Sequence, residues 1–137
     1  MRGQILTVSC FLMVLTIALG QNMLYWPDPG WHAPEAVAAK PNPLAEKPWA
    51  AAGGRKLFLR NCAECHDKDG DGLAKKHSAD LQLAVVQQQS DGTLFWKITN
   101  GNTGRGMPSF SKLPELERWQ LVLYLRTLKP TENLHKQ

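Results

Sequence analysis

Cys62-Ala63-Glu64-Cys65-His66 constrains this 137-residue chain more than any other feature. Two thiols sit one helical turn apart, and an imidazole follows at once. Thiols at this C-x-x-C-H spacing can reach the two vinyl groups of one haem, and the next residue then points its imidazole at the iron. Three other uses of the pair fit less well. A thioredoxin-like redox pair needs a preceding strand in a βαβ setting, whereas a helical pattern precedes this one. A structural zinc site needs two further ligands, and His32, His77 and His135 form no second tight pair. A disulfide across a two-residue gap is strained and closes too short a loop to stabilise much.

One imidazole leaves the far side of the iron to another ligand, for which Met107, His77 and His135 are the candidates after His66. Gly104-Arg105-Gly106-Met107-Pro108 stands out. Its glycines let backbone approach a flat ligand, and its proline stiffens the chain directly after the thioether. Methionine more often fills cores than binds metals. In a chain with C-x-x-C-H, and 41 residues beyond His66, Met107 is nevertheless the expected sixth ligand. A thioether favours ferrous iron and raises the potential relative to a second histidine. With both axial positions filled, electron transfer without bond chemistry is the expected function.

The N-terminus reads as an export leader. Met1-Arg2 gives a short positive start, and Ile5 to Leu19 is apolar apart from Thr7, Ser9 and Thr16. Ala18-Leu19-Gly20 places small residues before a cleavage point at Gln21. Cleavage makes residues 1–20 a signal peptide. The rival is an uncleaved anchor reaching about residue 26, with Tyr25 and Trp26 as an aromatic belt, interrupted by Gln21 and Asn22. Both readings put the rest of the chain outside the cytoplasmic membrane, in the periplasm. Losing Arg2 with the leader lowers the net charge from +4 to +3. With no run of five basic residues, the electrostatic footprint of a nucleic-acid binder is missing.

Residues 21–49 read as an extended arm, because Pro27, Pro29, Pro34, Pro41, Pro43 and Pro48 remove donors and fix dihedrals. Trp26, Trp31 and Trp49 read as plugs that pin this arm, with partner binding as the alternative. A compact domain is expected over 50–130, followed by a polar tail over 131–137. Within the domain, helical spacing begins at Ala50 and runs to Asn61, with Gly54, Leu57 and Phe58 on one side. Ser90 is placed to cap a helix reaching about Thr99. Pro114 is placed to open a last helix that Pro130 stops, with Leu116, Trp119, Val122, Leu123 and Leu125 as its apolar face. No segment alternates as a strand would. The expected class is all-α, a small helical domain wrapped around one covalent haem, with long loops that pack on it.

In this order the pieces resemble the class I cytochrome c family over about residues 50–129. Gly54 and Phe58 precede Cys62 in four-residue steps, like the family's N-terminal helix. Leu121 and Tyr124 look like its C-terminal helix, and Met107-Pro108 like its ligand loop. Ser90 to Gly101, with Leu94-Phe95-Trp96, is similar to bacterial members used as periplasmic carriers or cytochrome subunits. The resemblance implies two helices crossing near a right angle, where the glycine permits close approach and aromatic residues pack. It also implies one haem c, held by Cys62 and Cys65 and ligated by His66 and Met107. Redox protein donors and acceptors are the expected partners, with membrane association only through the N-terminal segment.

Weaker signals remain. Asp67-Lys68-Asp69-Gly70-Asp71-Gly72 resembles the start of a calcium loop. Its twelfth position is Ser78 where a bidentate glutamate is required, so a glycine-rich turn beside the haem is expected. Trp96 and Arg105 are candidates to bond haem propionates, against core packing and a solvated charge respectively. Lys75, Lys76 and Lys97 are candidates for a docking rim.

Overall fold

The computed structural model describes residues 28–128, so the leader, Trp26, Lys129, Pro130, His135 and the tail lie outside the described residues. Among the described residues every regular element is helical. They are α1 (Glu35–Ala38), α2 (Ala51–Asn61), α3 (Ala63–His66), α4 (Ala84–Gln87), α5 (Asp91–Asn100) and α6 (Glu115–Leu125). Short 3-10 turns occur at Pro48–Ala50, Ala74–Lys76 and Thr103–Arg105. No helix among the described residues is long and apolar enough to cross a membrane.

The most extensive helix–helix contact joins α2 to α6. Gly54 makes it feasible. A Cβ there would collide with the Gln120 carbonyl and come within 2.8 Å of the Tyr124 Cβ. With only hydrogen in that place, the two backbones touch, and Phe58 packs on Tyr124 with ring centroids 5.2 Å apart. Phe58, Leu121 and Val122 are fully buried at this crossing. The core extends through Leu57, Leu94, Ile98, Trp119 and Leu125.

Helix α5 begins as its sequence dictates, with the Ser90 hydroxyl accepting from the Thr93 N–H. It packs on α6 through Phe95 and Trp119, whose rings stack at 4.0 Å. Arg126 ties the end of α6 to the start of α5. Its guanidinium donates to Asp91 Oδ1 (2.6 and 2.8 Å) and to the carbonyls of Gln87 and Gln89 (2.7 and 2.6 Å). One planar donor fork thus satisfies three acceptors, where lysine offers only a point charge.

Three details differ from the sequence expectation. Pro114 is the residue before α6 and not its first; its fixed φ suits either place. Leu116 is 54% exposed, while Leu121 takes a core position. The helix turns its buried side toward α2. Finally, the arm is not wholly extended: Pro34 precedes the single turn of α1, and Pro48 opens a 3-10 turn. The arm lies against the domain along much of its length. Ser90 Oγ donates to the Ala38 carbonyl at 2.7 Å, and buried Asn42 donates to the Trp119 carbonyl at 3.2 Å. Leu44 joins the core.

Candidate functional site

A cavity of about 270 Å³ opens where α2, α3, α5, α6 and the 102–110 loop converge. Phe58, Leu81, Val86, Leu94, Ile98, Phe110, Leu121 and Leu125 give it an apolar wall. Cys62, Cys65, His66 and Met107, separated by up to 45 residues in sequence, all line it.

Helix α3 is a single turn, which brings the first three together. The N–H groups of Cys65 and His66 both donate to the Cys62 carbonyl, at 3.1 and 2.9 Å. The two thiols are separate and half-buried. Burial, and secondarily the neighbouring Cys65, pushes the Cys62 thiol up to about 12. A dithiol redox pair needs the opposite shift, because its thiolate is the nucleophile. Helix α2 and not a strand precedes the pair, so the βαβ setting of a dithiol oxidoreductase is missing among the described residues.

His66 is oriented by a partner that sequence reading missed. Its Nδ1 lies 3.0 Å from the Ala79 carbonyl oxygen. A carbonyl can only accept, so Nδ1 carries the proton and Nε2 keeps its lone pair for a metal. Burial pulls the imidazole below its ordinary value, which keeps it neutral and ligating, with the Ala79 bond opposing. Ser78 fastens this loop: its hydroxyl bonds the Cys65 carbonyl and accepts from the Leu73 N–H at 2.9 Å. No side-chain chemistry announces Ala79, because the acceptor is main chain.

Met107 sits in a loop that is also pinned. Asn102 and Met107 exchange both backbone hydrogen bonds, N–H to carbonyl, at 2.9 and 3.0 Å. Gly101 precedes this bridge at φ 66°, and a Cβ there would come within 2.7 Å of the Met107 carbonyl oxygen. Only glycine passes at that point without strain.

Other expectations shift. Trp96 does not line the cavity, whereas Arg105 does. The tryptophan at the cavity is Trp31, from the arm. It donates through Nε1 to the Gly101 carbonyl at 2.9 Å. Trp49 is 73% exposed and so is not the buried plug expected of it. His77 is exposed, yet it reaches the cavity mouth. Lys76 faces Glu64 at 3.3 Å, and Lys97 lies 4.5 Å over the Trp31 ring. Burial lowers the Lys97 pKa, with Asp28 opposing. Of the three lysines expected at a docking rim, two are therefore engaged within the chain.

The donor set fits a covalently held haem. Two cysteines, a histidine whose Nε2 keeps its lone pair and a methionine line one apolar cavity, a set of donor types that suits such a group. Comparison with known proteins points the same way. The family model described as cytochrome C oxidase, cbb3-type, subunit III matches residues 49–125. A protein of Synechocystis sp. named cytochrome c-553-like is 30% identical over 117 residues, covering 85% of this chain and 94% of that protein.

Proposed function

The chain belongs to the mono-haem class I cytochrome c family and carries single electrons between redox proteins on a covalent haem c; within that frame we propose that Cys62 and Cys65 hold the haem and that His66 and Met107 take its two axial positions. The convergence of these four side chains on one apolar cavity carries the reading. The haem supplies a one-electron couple. His66 and Met107 would hold its metal in both oxidation states, which would keep rearrangement small. Ala79 fixes the imidazole and the Asn102 bridge fixes the thioether's backbone. The apolar wall keeps water away and favours the less charged, ferrous form.

Partners dock at the cavity mouth, where the charged residues Lys76, Lys97 and Arg105, with Asp28 and Glu64, are already engaged with one another or with Trp31 and leave little free charge. Redox encounters use small, weak interfaces, so a modest rim suffices. The site of action is the periplasm, supported by the leader at residues 1–20; cleaved, it frees the domain, and retained, it tethers the domain to the membrane.

With His66 and Met107 both on the metal, no position would be left for a substrate, so the protein acts as a carrier and not as an enzyme. Carbon monoxide tests this. The reduced protein at neutral pH is expected to keep its visible spectrum under the gas. A shifted spectrum would mean that an axial position opens, as in a gas-binding or catalytic haem protein.

A second reading, a cytochrome subunit of a larger oxidoreductase, is favoured by the oxidase-subunit description of the matching family and by the exposed Trp49. The apparent size of the native assembly on gel filtration separates a free carrier from a permanent subunit.

A further inference from the structure

The turn at residues 28–31 lies outside the family-matched segment 49–125, yet it closes on the loop that carries Met107. Asn102 Nδ2 donates to Asp28 Oδ2 at 2.9 Å, and Trp31 Nε1 donates to the Gly101 carbonyl at 2.9 Å. Arg105 Nε stands 3.8 Å from the same Asp28 carboxylate. Three residues of the 101–105 stretch are thus tied to two residues of the arm.

The arm's side of these contacts is itself braced. Asp28 accepts from the Gly30 N–H on its other oxygen at 3.0 Å, and the Trp31 N–H donates to the Asp28 carbonyl at 3.1 Å. This local Asx-type turn presents the carboxylate and the indole together. Lys97 over the Trp31 ring fixes the indole from α5. The Asn102 amide and the Gly30 N–H hold the Asp28 carboxyl below the usual carboxylate range, so it is ionised at neutral pH. Its bond to Asn102 is then charge-assisted and among the stronger kinds.

Asn102 is the residue whose backbone pairs with Met107 in both directions. A pull on its side chain therefore reaches the methionine through one rigid bridge.

We propose that the 28–31 turn is a clasp in which Asp28 and Trp31 are positioning residues that hold the Met107 loop shut. This rests on Met107 as the axial ligand. A clasp of this kind sets how often the loop opens, and so how readily an outside ligand displaces the thioether. It also gives the arm a task in electron transfer beyond linking.

The test uses the full haem-loaded chain and two readouts. One is the affinity of the ferric protein for imidazole, followed by loss of the weak sulfur–iron band. The other is hydrogen exchange at the Asn102 and Met107 amides. The variants are Asp28→Ala and Trp31→Phe, the second keeping a ring over Lys97 while deleting the donor. Trp31→Phe is expected to raise imidazole affinity and speed exchange about tenfold, the effect of one hydrogen bond of ordinary net strength, and Asp28→Ala to do so by more than that, because its bond is charge-assisted. In an Asn102→Ala background, Asp28→Ala is expected to add little, because the two act as one pair. Unchanged exchange at both amides in both variants would overturn the clasp. Met107→Ala is the control for the underlying reading. If it binds imidazole no better than the parent, the axial assignment fails, and amide exchange still decides the clasp.

Discussion

Replacing Met107 with alanine is expected to lower the reduction potential by on the order of 0.1 V or more, a fraction of the roughly 0.8 V that axial ligands span. The reason is chemical. A thioether stabilises ferrous iron, and whatever water or nitrogen replaces it does so less. Two further changes accompany the drop: the weak band near the red end of the spectrum disappears, and the reduced protein gains carbon monoxide binding. The backbone pair between Asn102 and residue 107 does not involve the methionine side chain, so it is expected to survive the change. Redox titration with a visible spectrum checks all of this on one sample. A variant that kept the red band and the parental potential would remove Met107 from the account.

Gly54→Ala is expected to destabilise the protein by about 3 kcal/mol, although alanine is the better helix former. Propensity alone predicts a gain of about 1 kcal/mol at an interior helix position. Against it stands overpacking, which costs about 1–3 kcal/mol where side chains can give way and more where they cannot. Here the obstacle is the Gln120 carbonyl, a backbone group on α6. The two helices must separate, and Phe58, Leu121 and Tyr124 lose contact together. Gly53→Ala is the matched control one residue away. Its new methyl meets the end of the Gln120 side chain at 2.9 Å, a group free to swing aside. That variant is expected to be neutral or up to about 1 kcal/mol more stable. Urea unfolding of the two haem-loaded variants against the parent distinguishes close backbone approach from helix propensity. Equal effects would argue against the crossing as described.

What could be read in the sequence was what is local. The C-x-x-C-H run needs one turn of helix to converge, and the turn forms because nothing in it opposes one. The Ser90 cap and the four-residue step from Gly54 to Phe58 are local for the same reason. The Met107 loop was legible through its glycines and its proline, whose backbone demands are intrinsic to those residues. Contacts between distant segments leave no periodic trace. Trp31 meets Gly101 and Asp28 meets Asn102 across seventy or more residues, so the arm read as a pinned linker and the tryptophan that lines the cavity was sought on α5 and not in the arm. The acceptor for His66 was hidden because every residue has a carbonyl, and only the path of the 67–79 loop selects that of Ala79. The last helix misled for a related reason. Leu116 fits the apolar stripe by spacing but stays exposed, because spacing does not say which side of α6 the rest of the chain covers.

The covalent link to the haem is the claim on which the other assignments depend. The most direct test is the intact mass of the mature chain, produced in cells able to attach haem and extracted with acidified acetone beforehand. The account predicts the mass of the polypeptide plus one haem, with the colour remaining in the protein. A bare polypeptide mass, with the pigment absent or washed into the solvent, would contradict it.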